Sequence, residues 1–79
     1  MKISKAIMEK INKILLERNI TVNKLATLSY LTQSTVESLV NGQSKNPKLL
    51  TIVRICDGLD ISLKEFFDDS LFDNIDRED

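Results

Sequence analysis

Apolar residues recur at helical spacing along most of the chain, and no stretch alternates as a strand would. The first segment places apolar side chains at positions i, i+4, i+7 and i+8, namely Ile7, Ile11, Ile14 and Leu15. Ser4 is expected to cap this helix at its start. Asn19 is expected to end it, because asparagine tolerates the left-handed conformation.

Two shorter helices are predicted next, each opened by a threonine. Thr21 is expected to cap a helix that carries Val22, Leu25 and Ala26. Thr32 is expected to cap a helix whose apolar stripe is thin, with Val36, Leu39 and Val40. Gly42 stands where a left-handed residue ends such a helix.

The fourth helix should be the central core helix, because the segment after Pro47 is the most apolar of the chain. Asn46 is expected to be its N-cap and Pro47 its first residue, with Asp57 and Gly58 at its end. A capping box, Ser62 to Glu65, opens a fifth helix. The predicted fold is therefore all-α, with five short helices.

A domain over 1–69 and an acidic tail over 70–79 are expected. Phe67, Leu71 and Ile75 would form an apolar ridge if the fifth helix continued; otherwise the tail would form another turn. Such a ridge is either a lid on the core or a dimer contact.

Charge is unevenly distributed, although the net charge is only -1. Residues 1–48 contain eight Lys and Arg against three Glu, whereas 49–79 contain three basic residues against nine acids. A cationic face suggests a polyanionic partner.

Catalytic and metal chemistry find little support. The chain has no histidine and a single cysteine, Cys56, which its apolar neighbours predict to be a buried structural residue. Asp68, Asp69 and Asp73 resemble no calcium loop. No cofactor, metal site or enzymatic activity is expected. Without a signal-peptide pattern or an apolar membrane span, a soluble cytoplasmic protein is expected.

The connection between the second and third helices indicates a function. Only about three residues separate them, so the helices must cross steeply, as in a helix-turn-helix. The outer face of the third helix would read bases through Gln33, Ser34 and Ser38. Lys45 and Lys48 would contact phosphates, whereas Glu37 could accept from a cytosine or lie in solvent.

The run from Leu25 to Gly42 reads L-A-x-x-x-x-L-T-x-S-T-V-x-x-L-x-N-G and resembles the phage repressor and Cro (XRE) family. K-N-P and I-S-L-K-E-F-F further on are similar too. The resemblance implies a lambda-repressor-like domain that binds operator DNA as a dimer. It implies base reading by Gln33, Ser34 and Ser38, with Thr35 as an addition, and phosphate contact by Asn41, Lys45 and Lys48.

The chain departs from the family pattern at three places. Tyr30 occupies a turn position that usually holds glycine. Val22 replaces a phosphate-binding glutamine, which leaves that contact to backbone N–H groups with Thr21 or Asn23. Leu15 and Val40 replace an internal ion pair and are predicted to touch.

The function predicted from these features is a sequence-specific, repressor-like transcriptional regulator that binds a palindromic operator as a homodimer. The alternative is an antitoxin-like or other protein-binding module that uses the acidic tail to bind its partner.

Overall fold

A computed structural model describes residues 1–77, all of whose regular elements are helical. The helices are α1 (Ile3–Arg18), α2 (Val22–Ser29), α3 (Gln33–Val40), α4 (Leu49–Leu59) and α5 (Leu63–Phe67), followed by a 3-10 turn (Ser70–Phe72). The five-helix all-α prediction is confirmed.

The long helix α1 begins two residues earlier than predicted. Ser4 lies inside the helix, and the N-cap is Lys2, whose side chain makes no capping hydrogen bond. The start is held instead by the tail: the Met1 ammonium donates to the carbonyl of Asn74 at 3.2 Å and pairs with Asp76. Asn19 ends the helix with φ 54°, as predicted.

The core forms where α2 packs against α4 and α3, and where α3 packs against α1. Ile52, Ile55 and Leu59 of α4 are fully buried, which confirms α4 as the core helix. Cys56 is buried beside them as predicted, and this burial raises the pKa of its thiol. Leu49 and Leu50, at the start of the same helix, are instead exposed.

Both ends of α4 differ from the prediction. Asn46 and Pro47 lie before the helix, and Lys48 is its N-cap. Asp57 and Gly58 lie within its last turn, which ends at Asp60 with φ 57°.

Gly58 serves a close approach between α4 and α2 instead of ending a helix. A Cβ atom on Gly58 would lie 2.4 Å from the Ser29 Oγ and 3.0 Å from the backbone of Leu28. Only a residue without a side chain lets the two helices come this near. The prediction that Gly58 ends α4 is therefore wrong. Glycine is favoured both at a helix end and where two helices cross closely, so the sequence did not distinguish the two.

The turn between α2 and α3 is built from two caps and one left-handed residue. The hydroxyls of Thr21 and Thr32 accept from the backbone N–H groups of Lys24 and Thr35, so both predicted caps are confirmed. Tyr30 takes φ 55° with its side chain 92% exposed. The turn is made without glycine, at a cost of about 1–2 kcal/mol for a residue with a Cβ.

The tail folds back onto the core instead of continuing α5. The Ser62–Glu65 capping box is present, but the helix stops at Phe67, so the continuous ridge through Leu71 and Ile75 does not form. The ring of Phe72 packs against Phe67 with centroids 4.9 Å apart. Residues 78 and 79 of the predicted tail lie outside the described residues.

Asp69 fixes the tail to α1. Its carboxylate accepts from Lys10 Nζ at 2.9 Å and Lys13 Nζ at 3.1 Å, and its side chain is 8% exposed. The N–H of Leu71 also donates to this carboxylate. The hydrogen bond from Leu71 and then those from the two lysines hold the pKa of Asp69 well below its ordinary range.

Replacing Gly58 by alanine should destabilise the fold by about 1–3 kcal/mol, because the new methyl group overlaps α2. Alanine in place of glycine inside a helix would otherwise stabilise by roughly 0.5–1 kcal/mol, so the sign of the change is the test. Thermal unfolding followed by circular dichroism measures it. Asp57→Ala, at an exposed neighbour on the same helix, is the control; an unchanged or raised midpoint for Gly58→Ala would contradict the close contact.

Asp69→Asn should lower the thermal midpoint at pH 7, because the carboxylate loses its pairing with Lys10 and Lys13. The folded state depresses the pKa of Asp69, so the stabilisation is present above its unfolded pKa of about 3.9. It is lost as the pH falls, and the midpoints of wild type and variant should therefore converge in acid. Asp73→Asn, at an exposed position of the tail, is the control and should show no such convergence.

Candidate nucleic-acid interface

Helix α3 is held by its inner side and leaves its outer side open. Val36 and Leu39 are buried against the core, and Val40 packs on its margin. The side-chain amide of Asn12 on α1 donates to the Val40 carbonyl at 2.8 Å. Leu15 is buried in the same core, and its direct contact with Val40 stays a prediction. A thin apolar stripe therefore suffices to seat the helix.

The residues predicted to read bases lie on the first two turns of α3. Gln33 and Ser34 are exposed, whereas Thr35 and Ser38 are half-buried. The Thr35 hydroxyl lies 2.8 Å from the hydroxyl of Thr32, so it already has a partner in the cap. These four assignments stay predictions, with Gln33 and Ser34 the most accessible.

Gln33 has a partner that sequence reasoning did not assign. Its Nε2 donates to the Oε1 of Glu37 at 2.8 Å, one helical turn further on. Glu37 is thus exposed, but its carboxylate is hydrogen-bonded to one of the residues predicted to read bases. The spacing of four residues was visible in the sequence, but many such pairs do not form.

Ser34 and Ser38 share a groove with a predicted phosphate-binding residue. The groove has a volume of about 300 Å³ and runs from α3 to the start of α4, where Lys48 lies. Sequence reasoning missed three further polar residues on its wall, which are Ser44, Asn46 and Thr51. The loop is folded onto α3 by a hydrogen bond from the Ser44 N–H to the Ser38 carbonyl. The density of hydroxyls and amides in N-G-Q-S-K-N was the available signal.

Lys45 lies on a different groove from Lys48. It lines a space of about 280 Å³ with Lys2 and Lys5 of the α1 start, beside Gly42. The two lysines predicted to contact phosphate therefore line separate grooves, and Lys45 belongs to a three-lysine cluster.

The start of α2 offers backbone donors. The Thr21 hydroxyl accepts from the N–H of Lys24, which leaves the N–H groups of Val22 and Asn23 without intrahelical acceptors, as in any first turn. The Val22 side chain is half-buried against the core, so only its backbone can meet a ligand. Such N–H groups, at the positive end of the helix dipole, suit an anion.

Asn41 is exposed at the end of α3. Its Oδ1 accepts from the N–H of Gln43 at 3.0 Å. This hydrogen bond fixes the amide plane and leaves the Nδ2 as the atom that can donate to a phosphate, so the predicted role remains a prediction.

Two lysines of the basic half of the sequence are paired with a carboxylate inside the fold. Asp69 engages Lys10 and Lys13 and, through its hydrogen bond, raises the pKa of Lys13. Among residues 1–77 there is no cluster of three or more His, Cys, Asp or Glu that could hold a metal ion. No helix in this part of the chain is long and apolar enough to cross a membrane.

Residues 10–70 match the model of a family described as the Cro/C1-type HTH DNA-binding domain, which is well over half of the chain. The matched range contains α2, α3 and the candidate site from Thr21 to Lys48. No curated protein and no solved structure matches the chain. The family match confirms the resemblance seen in the L-A…N-G run.

Proposed function

The chain belongs to the Cro/C1-type helix-turn-helix DNA-binding family, and on that basis we propose that it is a sequence-specific transcriptional regulator of repressor type, acting as a homodimer on a palindromic operator. The observation that carries the proposal is the open outer face of α3, where Gln33 and Ser34 are exposed above the groove that leads to Lys48.

In this proposal α3 enters the major groove with its first turns against the base edges. Gln33 offers a donor and an acceptor, the pair that adenine matches through N7 and N6. Ser34 and Ser38 contact neighbouring bases. Sequence preference then depends on few side chains.

Residues proposed to contact phosphates surround the base-reading residues of α3. The first N–H groups of α2 would bind one phosphate with help from Thr21 and Asn23. Asn41 and Lys48 would bind others from the far side of α3, and Lys45 would add one through its separate cluster. Contacts of this kind position a protein on a duplex without reading its sequence.

Exposed leucines support the homodimer. Leu49 is 65% exposed and Leu50 59% at the start of α4, directly after the loop that follows α3, and Leu63 at the start of α5 is 37% exposed. Large apolar side chains exposed in this way favour burial against another protein surface. A dimer would place two α3 helices in successive major grooves about 34 Å apart.

The protein-binding alternative has less support. Asp69 is engaged by Lys10 and Lys13, and Phe72 packs within the aromatic group of the tail. The carboxylate at the base of the tail and one of the tail's apolar side chains are therefore already engaged inside the chain.

Selection from random duplex oligonucleotides, followed by sequencing, tests the proposal. Wild type should enrich a palindrome whose half-sites lie about 10 base pairs apart. Gln33→Ala should relax the preference at one base pair of each half-site, at a cost of about 1–3 kcal/mol. Lys64→Ala, on an exposed surface of α5, is the control and should enrich the same consensus as wild type. Enrichment of no sequence by wild type would reject the function.

The homodimer is tested with Leu49→Lys combined with Leu63→Lys. Two charges in an apolar contact should raise the dimer dissociation constant tenfold or more, since each 1.4 kcal/mol is about tenfold. Sedimentation equilibrium measures this constant. Binding to a full operator should weaken while binding to an isolated half-site does not.

Leu16→Lys is the matched control, because it places the same charge at another exposed leucine, which is 84% exposed on α1. Equal dissociation constants for the double variant and wild type would exclude this surface as the dimer contact.

A further inference from the structure

We propose that Glu37 is a positioning residue that fixes the side-chain amide of Gln33 and thereby sets its preference for adenine. The inference rests on the proposed function, since it concerns how that function obtains its specificity. It assigns a role to the one acidic side chain on the reading helix.

The geometry places the two side chains in a defined contact. Gln33 Nε2 donates to Glu37 Oε1 at 2.8 Å, and both residues are exposed on the outer face of α3. A hydrogen bond to a carboxylate is stronger than one between neutral groups. The contact therefore biases the rotamer of a side chain that would otherwise sample several.

The contact also decides which way the amide faces. The Nε2 atom has two hydrogens, of which Glu37 accepts one. A flipped amide would set the Gln33 carbonyl oxygen against the carboxylate oxygen, where no hydrogen stands between them. The orientation with Nε2 toward Glu37 is consequently the favoured one.

The atoms that remain define the base. Gln33 keeps one N–H donor and its Oε1 acceptor, held side by side. Adenine presents an acceptor at N7 and a donor at N6 in the major groove, so both hydrogen bonds can form. Guanine presents two acceptors, N7 and O6, and leaves the Gln33 oxygen opposed to an oxygen.

Neighbouring residues give Gln33 no comparable support. Val22, at the start of α2, has an apolar side chain that packs on the core. The hydroxyls of Thr32 and Thr35 are paired with each other. Within residues 1–77, Glu37 is the residue that hydrogen-bonds the Gln33 side chain.

The charge of Glu37 has a separate effect on affinity. A carboxylate near the phosphates opposes binding to any duplex, whatever its sequence. Removing Glu37 should therefore raise affinity for random DNA and, at the same time, weaken the preference for adenine. A solvated charge without a positioning role would change affinity for all sequences by the same factor.

Three substitutions at Glu37 separate the two effects. Each variant is tested on the DNA site that wild type selects and on the same site with guanine in place of the adenine that Gln33 contacts. The ratio of the two dissociation constants is the readout. Glu37→Ala should lower this ratio by about twofold, which is the factor that the free energy of one exposed pair at this spacing corresponds to. Its affinity for random DNA should rise.

Glu37→Asp is the matched charge control, because it keeps the carboxylate and removes one methylene of reach. Its ratio should fall as in Glu37→Ala, while its affinity for random DNA stays at the wild-type value. Glu37→Gln keeps the reach and an acceptor oxygen, so it should recover part of the ratio. In a Gln33→Ala background, Glu37→Ala should change the ratio no further.

Each outcome either supports or overturns the positioning role of Glu37. An unchanged ratio in Glu37→Ala and Glu37→Asp would overturn the positioning role while the proposed function stands. Equal changes on selected and random DNA would identify Glu37 as a charge alone. Failure of wild type to select any sequence would reject the proposed function itself, and the positioning role with it. Circular dichroism confirms that each variant is folded.

Discussion

The close approach of α2 and α4 is the contact on which the DNA-facing geometry depends. Gly58 lets α4 lie against the backbone of Ser29, and Leu59 is buried beside this crossing. The Arg18 guanidinium donates to the Leu59 carbonyl, so α1 is tied to the same end of α4. Since α2 is fixed in this way, the short turn that follows it can orient α3.

The turn between α2 and α3 fixes the position of α3 relative to α2, because its backbone has little conformational freedom. Two threonine caps satisfy backbone donors at the starts of α2 and α3, and Tyr30 reverses the chain in the left-handed conformation. The Leu31 N–H bonds back to the Ala26 carbonyl at 3.0 Å. Strain at Tyr30 is offset by these bonds and by burial of Val36 and Leu39, so α3 projects its polar side at a fixed angle.

Local chemistry explains which parts of the fold could be predicted from the sequence. Caps at Thr21, Thr32 and Ser62 are formed by side chains and N–H groups three residues apart, so the sequence alone contains both partners. The start of α4 could not be predicted in this way. Asn46 and Pro47 have the right local chemistry for a helix start, but the loop is folded onto α3 by Ser44, and the helix begins two residues later.

Contacts between distant residues could not be predicted either. The sequence left open whether the fifth helix continues beyond Phe67, because the partners of Asp69 on α1 are 56 and 59 residues away. At the site, residue types were predictable because amides and hydroxyls recur on one helix face. The pairing of Gln33 with Glu37 was not predictable. An exposed pair of this spacing contributes only about 0.2–0.5 kcal/mol, and no feature of the sequence shows which such pairs form.

The charge distribution gives these few contacts their importance. The net charge is -1, and Asp69 pairs with two lysines of the basic half and offsets one of their two charges. Long-range attraction to a duplex is therefore modest, and in the proposed complex binding depends on donors placed at short range around α3. When non-specific attraction is small, a side chain that contributes a few kcal/mol at one base pair accounts for a larger share of the total. In the proposed complex, the orientation of the Gln33 amide then matters most at the base pair that Gln33 reads.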